Sequence, residues 1–236
     1  MGNGSETIVR RKLAHEVFDR LKTMITEGEL SPGDAMPSER ELMDRFGVGR
    51  PAIREAMQSL AGMGLIAIAH GAPARIQQLT ARSILQQVDL TASILLSASP
   101  DSLDHLKQVR RFFERGMVRE AAIKASADDV AALRETLEQQ ARRVAEPSAF
   151  IDADMRFHTQ IAAISGNPIF EAVSEAMLGW LRRYHTEMLL WAGKENLTLG
   201  EHRRIIDHIE RHEPDEAEEQ MVSHLDRSSV LYTRNG

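Results

Sequence analysis

The stretch Pro37 to Leu60, PSERELMDRFGVGRPAIREAMQSL, limits the fold more than any other part of this 236-residue chain. Ser38 followed by Glu41 has capping-box spacing: the hydroxyl takes an orphan backbone N–H and the carboxylate folds back onto the cap. Leu42, Met43 and Phe46 give the short helix that follows one apolar face. Gly47-Val48-Gly49 ends it, because glycine accepts the left-handed backbone of a sharp turn. Pro51 suits the first turn of a second helix, whose inward face is Ile53, Ala56, Met57 and Leu60. Arg50 and Arg54, four residues apart, share one side near its start. A helix that buries its back and offers two arginines from its first turns has the form of a helix-turn-helix recognition helix.

Helix-turn-helix geometry also occurs inside all-helical domains, and an arginine pair is often only a solvated face. The next residues narrow the choice. Leu65 to Ile68 is a short apolar run, His70-Gly71-Ala72-Pro73 a turn, and Ala74-Arg75-Ile76 a returning strand. Helices followed by a hairpin predict a winged helix.

Three segments carry a resemblance: Leu30-Ser31-Pro32-Gly33-Asp34, Pro37-Ser38-Glu39-Arg40-Glu41-Leu42, and Gly49-Arg50-Pro51-Ala52-Ile53-Arg54-Glu55-Ala56. The chain resembles the N-terminal domain of GntR-family transcription regulators. Met36 stands where the family usually has leucine, Gly49 where it has serine or threonine, and Met57 where it has leucine. The resemblance implies contacts to double-stranded operator DNA by Arg40, Arg50, Arg54 and a wing tip at His70 and Gly71.

A net charge of −6 runs against DNA binding until it is divided along the chain. The first 82 residues hold eleven basic and ten acidic side chains, leaving eighteen basic and twenty-five acidic ones for the remainder. Local arginine clusters, not a broad positive field, would therefore meet phosphate. No apolar run is long enough to span a bilayer, and the opening residues lack a signal-peptide hydrophobic region. With no cysteine there is no disulfide and no thiolate metal site, which fits a cytoplasmic protein.

The expected organisation is a winged helix-turn-helix domain over residues 1–76, a polar linker over 77–82, and an all-α domain over 83–236. The first helix runs from about Val9, with Leu13, Val17, Leu21, Met24 and Ile25 inward, to Gly28. Beyond Ser83 helical periodicity is unbroken by any strand signal: Ser83 to Ser97, Asp101 to Lys124, Asp128 to Val144, Phe150 to Ser165, Ile169 to Trp191, Leu199 to Arg211, and Glu216 to about Tyr232. Leu103, Leu106, Val109, Phe113, Met117 and Val118 mark the inner face of the second of these. Pro147, Gly166-Asn167-Pro168 and a GKEN loop read as breaks. The expectation is an antiparallel bundle of six or seven helices.

Polar residues fall on the inner faces of that bundle. Asp154 and His158 are i and i+4 between Phe157 and Ile161. His202 precedes Ile205, Ile206 and Ile209, and His224 sits beside Met221, Val222 and Leu225. One inward histidine is usually a satisfied core residue. Four such groups on three helices would be costly to bury unless something satisfies their polar atoms together. A divalent cation would, and Asp-His₃ suits zinc first, with nickel, iron or manganese as alternatives.

The second domain also resembles a family, the FadR-like FCD branch of the same regulators. Its motifs appear as Asp154-Met155-Arg156-Phe157-His158, Ser165-Gly166-Asn167, Glu201-His202-Arg203-Arg204-Ile205 and His224-Leu225. The resemblance implies metal ligation by Asp154, His158, His202 and His224, and an effector cavity reached by Arg110 and Asn167. For Arg110 an intrahelical pair with Glu114 is an equal reading. Val48-Gly49-Arg50-Pro51, Gly166-Asn167-Pro168-Ile169-Phe170 and Arg211-His212-Glu213-Pro214-Asp215-Glu216-Ala217 extend the likeness to sialic-acid-responsive regulators, mostly outside the pocket wall. The expected function is a homodimeric regulator, a repressor before an activator, that takes a small carboxylate or sugar acid. Two rivals stand beside it: a metal-dependent hydrolase joined to a DNA-binding domain, and an architectural DNA binder without an effector.

Overall fold

The computed structural model describes residues 10–69, 71–99, 101–182 and 194–228. The chain forms two units, Met1–Thr80 and Ala81–Gly236.

In the first unit α1 is Arg10–Thr26, α2 Glu39–Phe46 and α3 Arg50–Gly62, followed by β1 Ile66–Ala67 and β2 Arg75–Ile76. Local chemistry sets each boundary. Ser38 Oγ accepts from the Glu41 amide at 3.3 Å, while Glu41 Oε2 accepts from the Ser38 amide at 2.7 Å. Gly47 closes α2 in the left-handed region at φ 64°, its amide bonded to the Met43 carbonyl at 2.9 Å. Val17, Leu21 and Met24 of α1 pack with Leu42, Ile53, Ala56 and Leu60 in one core. The strands pair antiparallel, Ile66 opposite Ile76 and Ala67 opposite Arg75. The segment before α2 joins the other edge of β2, where the Met36 amide donates to the Ala74 carbonyl at 2.7 Å. Gly71 turns the wing at φ 74°; His70 lies outside the described residues.

The second unit has seven helices among the described residues. These are α4 Ala81–Ala98, α5 Ser102–Lys124, α6 Ala127–Ala141, α7 Pro147–Ala163, α8 Pro168–Arg182, α9 Glu195–Glu210 and α10 Pro214–Ser228. Leu106, Val118, Leu133, Phe157, Ile161, Leu178, Ile205 and Met221 contribute to their common core. Arginines of α5 clamp α10 from outside: Arg111 to Asp226 at 2.7 Å, Arg115 Nε to Glu218 at 2.8 Å, and Arg119 to Asp215 at 2.6 Å. These pairs are at least partly solvated, so burial of the apolar faces outweighs them.

Some boundaries depart from the sequence expectation. Pro147 does not precede α7 as a break but occupies its first turn, where a missing amide hydrogen costs nothing. Glu195 and Asn196, read as loop, already belong to α9. Helix α4 starts at Ala81, within the polar junction. Leu13 and Val109, expected to face inward, are 45% and 54% exposed. The expected continuation of α8 to Trp191 and of the last helix to Tyr232 falls outside the described residues beyond Arg182 and Ser228.

Candidate functional site

Each unit places its chemistry differently. In the winged helix, Arg50 and Arg54 leave successive turns of α3 with side chains 58% and 60% exposed. Both reach Glu39 at the start of α2: Arg54 Nε lies 2.7 Å from one carboxylate oxygen and Arg50 Nε 3.4 Å from the other. Arg40 and Gly71 are exposed. Gly49 caps α3 in an extended conformation without a side-chain hydrogen bond.

In the bundle, Asp154 and His158 of α7, His202 of α9 and His224 of α10 each offer a ligand atom, all within 4.8 Å of one another. The three imidazoles are buried. Asp154 Oδ1 lies 3.4 Å from His202 Nε2 and Asp154 Oδ2 lies 3.8 Å from His158 Nε2. The Nε2 atoms of His158, His202 and His224 have no hydrogen-bond partner.

The opposite edge of each ring is engaged. His202 Nδ1 is 2.9 Å from Gln140 Oε1, whose amide nitrogen donates to Asp154 Oδ1 at 3.2 Å. One side chain thus orients a histidine and the carboxylate together. His224 Nδ1 lies 2.7 Å from Glu201 Oε2, and Arg227 Nε donates to the other oxygen of Glu201 at 2.6 Å. His158 Nδ1 and Glu114 Oε2 are in close ion-pair contact without good hydrogen-bond geometry. Phe157 stacks on His202 with ring centroids 4.0 Å apart. When Nδ1 donates to its acceptor, the tautomer leaves a lone pair on Nε2, as metal-ligating histidines require.

Charge follows from this burial. Desolvation, then the neighbouring His224 and His158, depress His202 well below the ordinary imidazole value. His224 is lowered chiefly by burial, against the opposing pull of Glu201. Desolvation would raise Glu114, but the adjoining Arg110 and His158 outweigh it and hold the carboxyl at about 2. A neutral imidazole is the form that binds a cation. Three converging, unpartnered Nε2 atoms beside a carboxylate fit a divalent metal better than they fit a dry core.

The model of the FCD domain matches residues 105–227, and that of bacterial regulatory proteins of the gntR family matches residues 13–76. The HTH-type transcriptional repressor NanR of Escherichia coli K12 is 38% identical over 231 residues, covering 97% of this chain and 87% of that protein. The chain belongs to the GntR family of regulatory proteins. The NanR repressor of Enterobacter sp. strain 638 is 37% identical over 228 residues, covering 95% of this chain and 87% of that one. A solved structure, Streptococcus agalactiae GntR, shares the fold with a TM-score of 0.66 at 23% identity, covering 92% of this chain and 99% of that one. This is a family of regulators, so the metal-dependent hydrolase gives way to a regulatory protein.

Placed in this GntR-family frame, the remaining expected residues separate. Arg110 is buried beside the histidine cluster, its Nε 2.6 Å from Glu114. Asn167 sits at the turn between α7 and α8, where its Oδ1 accepts from the Ile169 amide at 2.9 Å and caps α8. Sequence reasoning missed Gln140 and the supporting roles of Glu114 and Glu201. Each continues an apolar stripe: Gln140 after Val130, Leu133 and Leu137; Glu114 between Leu106 and Met117; Glu201 before Ile205. A polar residue at a core position of a helix was the available signal. Among the described residues no helix is long and apolar enough to cross a membrane.

Proposed function

We propose that this protein is a cytoplasmic, homodimeric transcriptional repressor whose bundle binds a divalent metal and a small organic acid that changes operator affinity. One observation carries the reading: Asp154, His158, His202 and His224 converge within 4.8 Å, with their supporting partners turned to the far edges of the rings. The repressor names of the relatives and the regulator family support the rest. Zinc is the first metal to test, then nickel, iron and manganese. When bound, such a cation would supply open coordination positions for a carboxylate. Arg110 is the residue proposed to face the acid's charge, and Asn167 is proposed at the rim of the same effector cavity. A sialic acid is the first sugar acid to try, given the resemblance to regulators that respond to it.

On the DNA side, Arg40, Arg50, Arg54, Gly71 and the neighbouring His70 are proposed to meet the duplex. A single recognition helix makes few contacts, so two copies would read a repeated half-site. Occupancy of the bundle would favour one arrangement of the paired domains, and DNA affinity would follow that differential binding.

The test is operator binding across an effector titration, for wild type and His202→Ala, with metal content measured on the same samples. The variant should lose metal and response together and keep effector-free DNA binding. A metal-free variant that still releases DNA at the wild-type effector concentration would end the coupled mechanism. Wild type without bound metal after growth with zinc, nickel, iron and manganese would end the metal reading itself.

A further inference from the structure

The two recognition-helix arginines are not independent, because Glu39 holds both. Its carboxylate reaches Arg54 Nε at 2.7 Å with one oxygen and Arg50 Nε at 3.4 Å with the other. Glu39 has a defined place in the helix: it is the first residue of α2, between the two residues of the Ser38–Glu41 capping box, and its side chain is 31% exposed. A carboxylate there is also favoured by the positive end of the helix dipole. Arg54 Nε thus donates a hydrogen bond to Glu39, and Arg50 Nε makes a longer ion-pair contact with the same carboxylate. Their terminal nitrogens make no other hydrogen bond or ion pair among the described residues.

We propose that Glu39 is a positioning residue that sets the sequence specificity of Arg50 and Arg54. This rests on the DNA-binding reading above. Reading guanine through O6 and N7 takes two parallel donors from one guanidinium, so the plane of the group must be defined before it meets the base. An arginine free to rotate finds the nearest phosphate instead, and phosphate contacts carry no sequence information. Glu39 also cancels one of the two positive charges at this spot. That weakens general attraction to the duplex and leaves base contacts to decide where the protein stays. Specificity here is a difference between two affinities, and a buttressing carboxylate acts on both sides of it.

The experiment uses the full chain and a randomised pool of DNA duplexes. Wild type, Glu39→Gln, Glu39→Asp and Arg54→Ala each select from the pool. The wild-type consensus and a scrambled duplex are then titrated at two salt concentrations. Glu39→Gln should bind the scrambled duplex more tightly than wild type does, while its ratio of consensus to scrambled affinity falls about tenfold. Glu39→Asp keeps the charge and loses the reach, so its ratio should fall without a gain on the scrambled duplex. Glu39 variants that select the wild-type consensus with undiminished ratio would overturn the proposal. If wild type enriches no sequence, or Arg54→Ala binds the consensus like wild type, the DNA-binding reading fails first. The two failures are therefore distinguishable. A fall in consensus affinity matched by an equal fall on the scrambled duplex would mean a merely structural role, and would also overturn it.

Discussion

The two units solve opposite problems with similar helices. The winged helix buries an apolar core and leaves its chemistry in water, with Arg50 and Arg54 more than half exposed. The bundle buries its chemistry among aliphatic side chains, with His158 and His202 side chains wholly inaccessible. An exposed arginine costs the fold almost nothing and is available to any partner. A buried imidazole must have its polar atoms satisfied in place, so folding and ligand binding become one question. Stability and function should separate in the first unit and move together in the second.

The largest expected effect tests that coupling. Phe157 is fully buried and stacks on His202. Phe157→Ala should cost about 3–5 kcal/mol of stability through the cavity it leaves. It should also weaken metal binding, because the His202 ring loses the wall that holds it. Thermal melts with and without added zinc would show both. A variant that melts early yet takes up metal like wild type would mean that the aromatic wall serves the core alone.

Chelation should come next. Bound metal stabilises by about 4 kcal/mol at a thousandfold excess over its dissociation constant. Removing it from wild type should lower the melting temperature, and the same treatment of His202→Ala should change nothing further. If chelator destabilises the variant as much as wild type, the cation sits elsewhere. Arg54→Ala is the counterpart in the other unit. Operator affinity should fall by about 1–3 kcal/mol, while stability stays within about 0.5 kcal/mol. A melting temperature that drops in step with affinity would erase the contrast between the units.

The same contrast explains what could be read from the sequence. Caps and turns are local: Ser38 with Glu41, Gly47 after Phe46, and Pro51 after Gly49 lie next to the partners that give them meaning. The winged helix was therefore legible almost residue by residue. In the bundle Asp154 and His158 share a face through helical geometry alone, whereas their meeting with His202 and His224 depends on how α7, α9 and α10 pack. Periodicity puts each of the four on an inner face but does not say that the faces meet, and the expectation that they converge leaned on the resemblance. Gln140 was illegible for a further reason: a glutamine on a helix is ordinarily solvated, and only its fully buried position beside His202 and Asp154 gives it work. Val109 erred the other way, its apolar side chain fitting the helical pattern yet ending 54% exposed.

The smallest effect probes how far the exposed unit tolerates change at its working surface. Gly49 caps the recognition helix at φ −75° and ψ 155°, a backbone that any residue adopts, and no side chain accepts from the first amides of α3. A Cβ added there would meet only Pro51 Cδ at 3.6 Å, an ordinary contact. Gly49→Ser therefore adds a hydroxyl where the related regulators usually have serine or threonine, without strain. Replacing glycine by serine at such a cap is worth a few tenths of a kcal/mol, or about 1–3 °C in the melting of a domain this size. The hydroxyl would be occupied by a backbone amide of α3, so the base contacts of Arg50 and Arg54 should be untouched. The expected outcome is a slightly higher melting temperature with the same selected half-site. A changed half-site would show that the cap position itself reads DNA. A lower melting temperature would show that the open start of α3 is itself favourable to this fold.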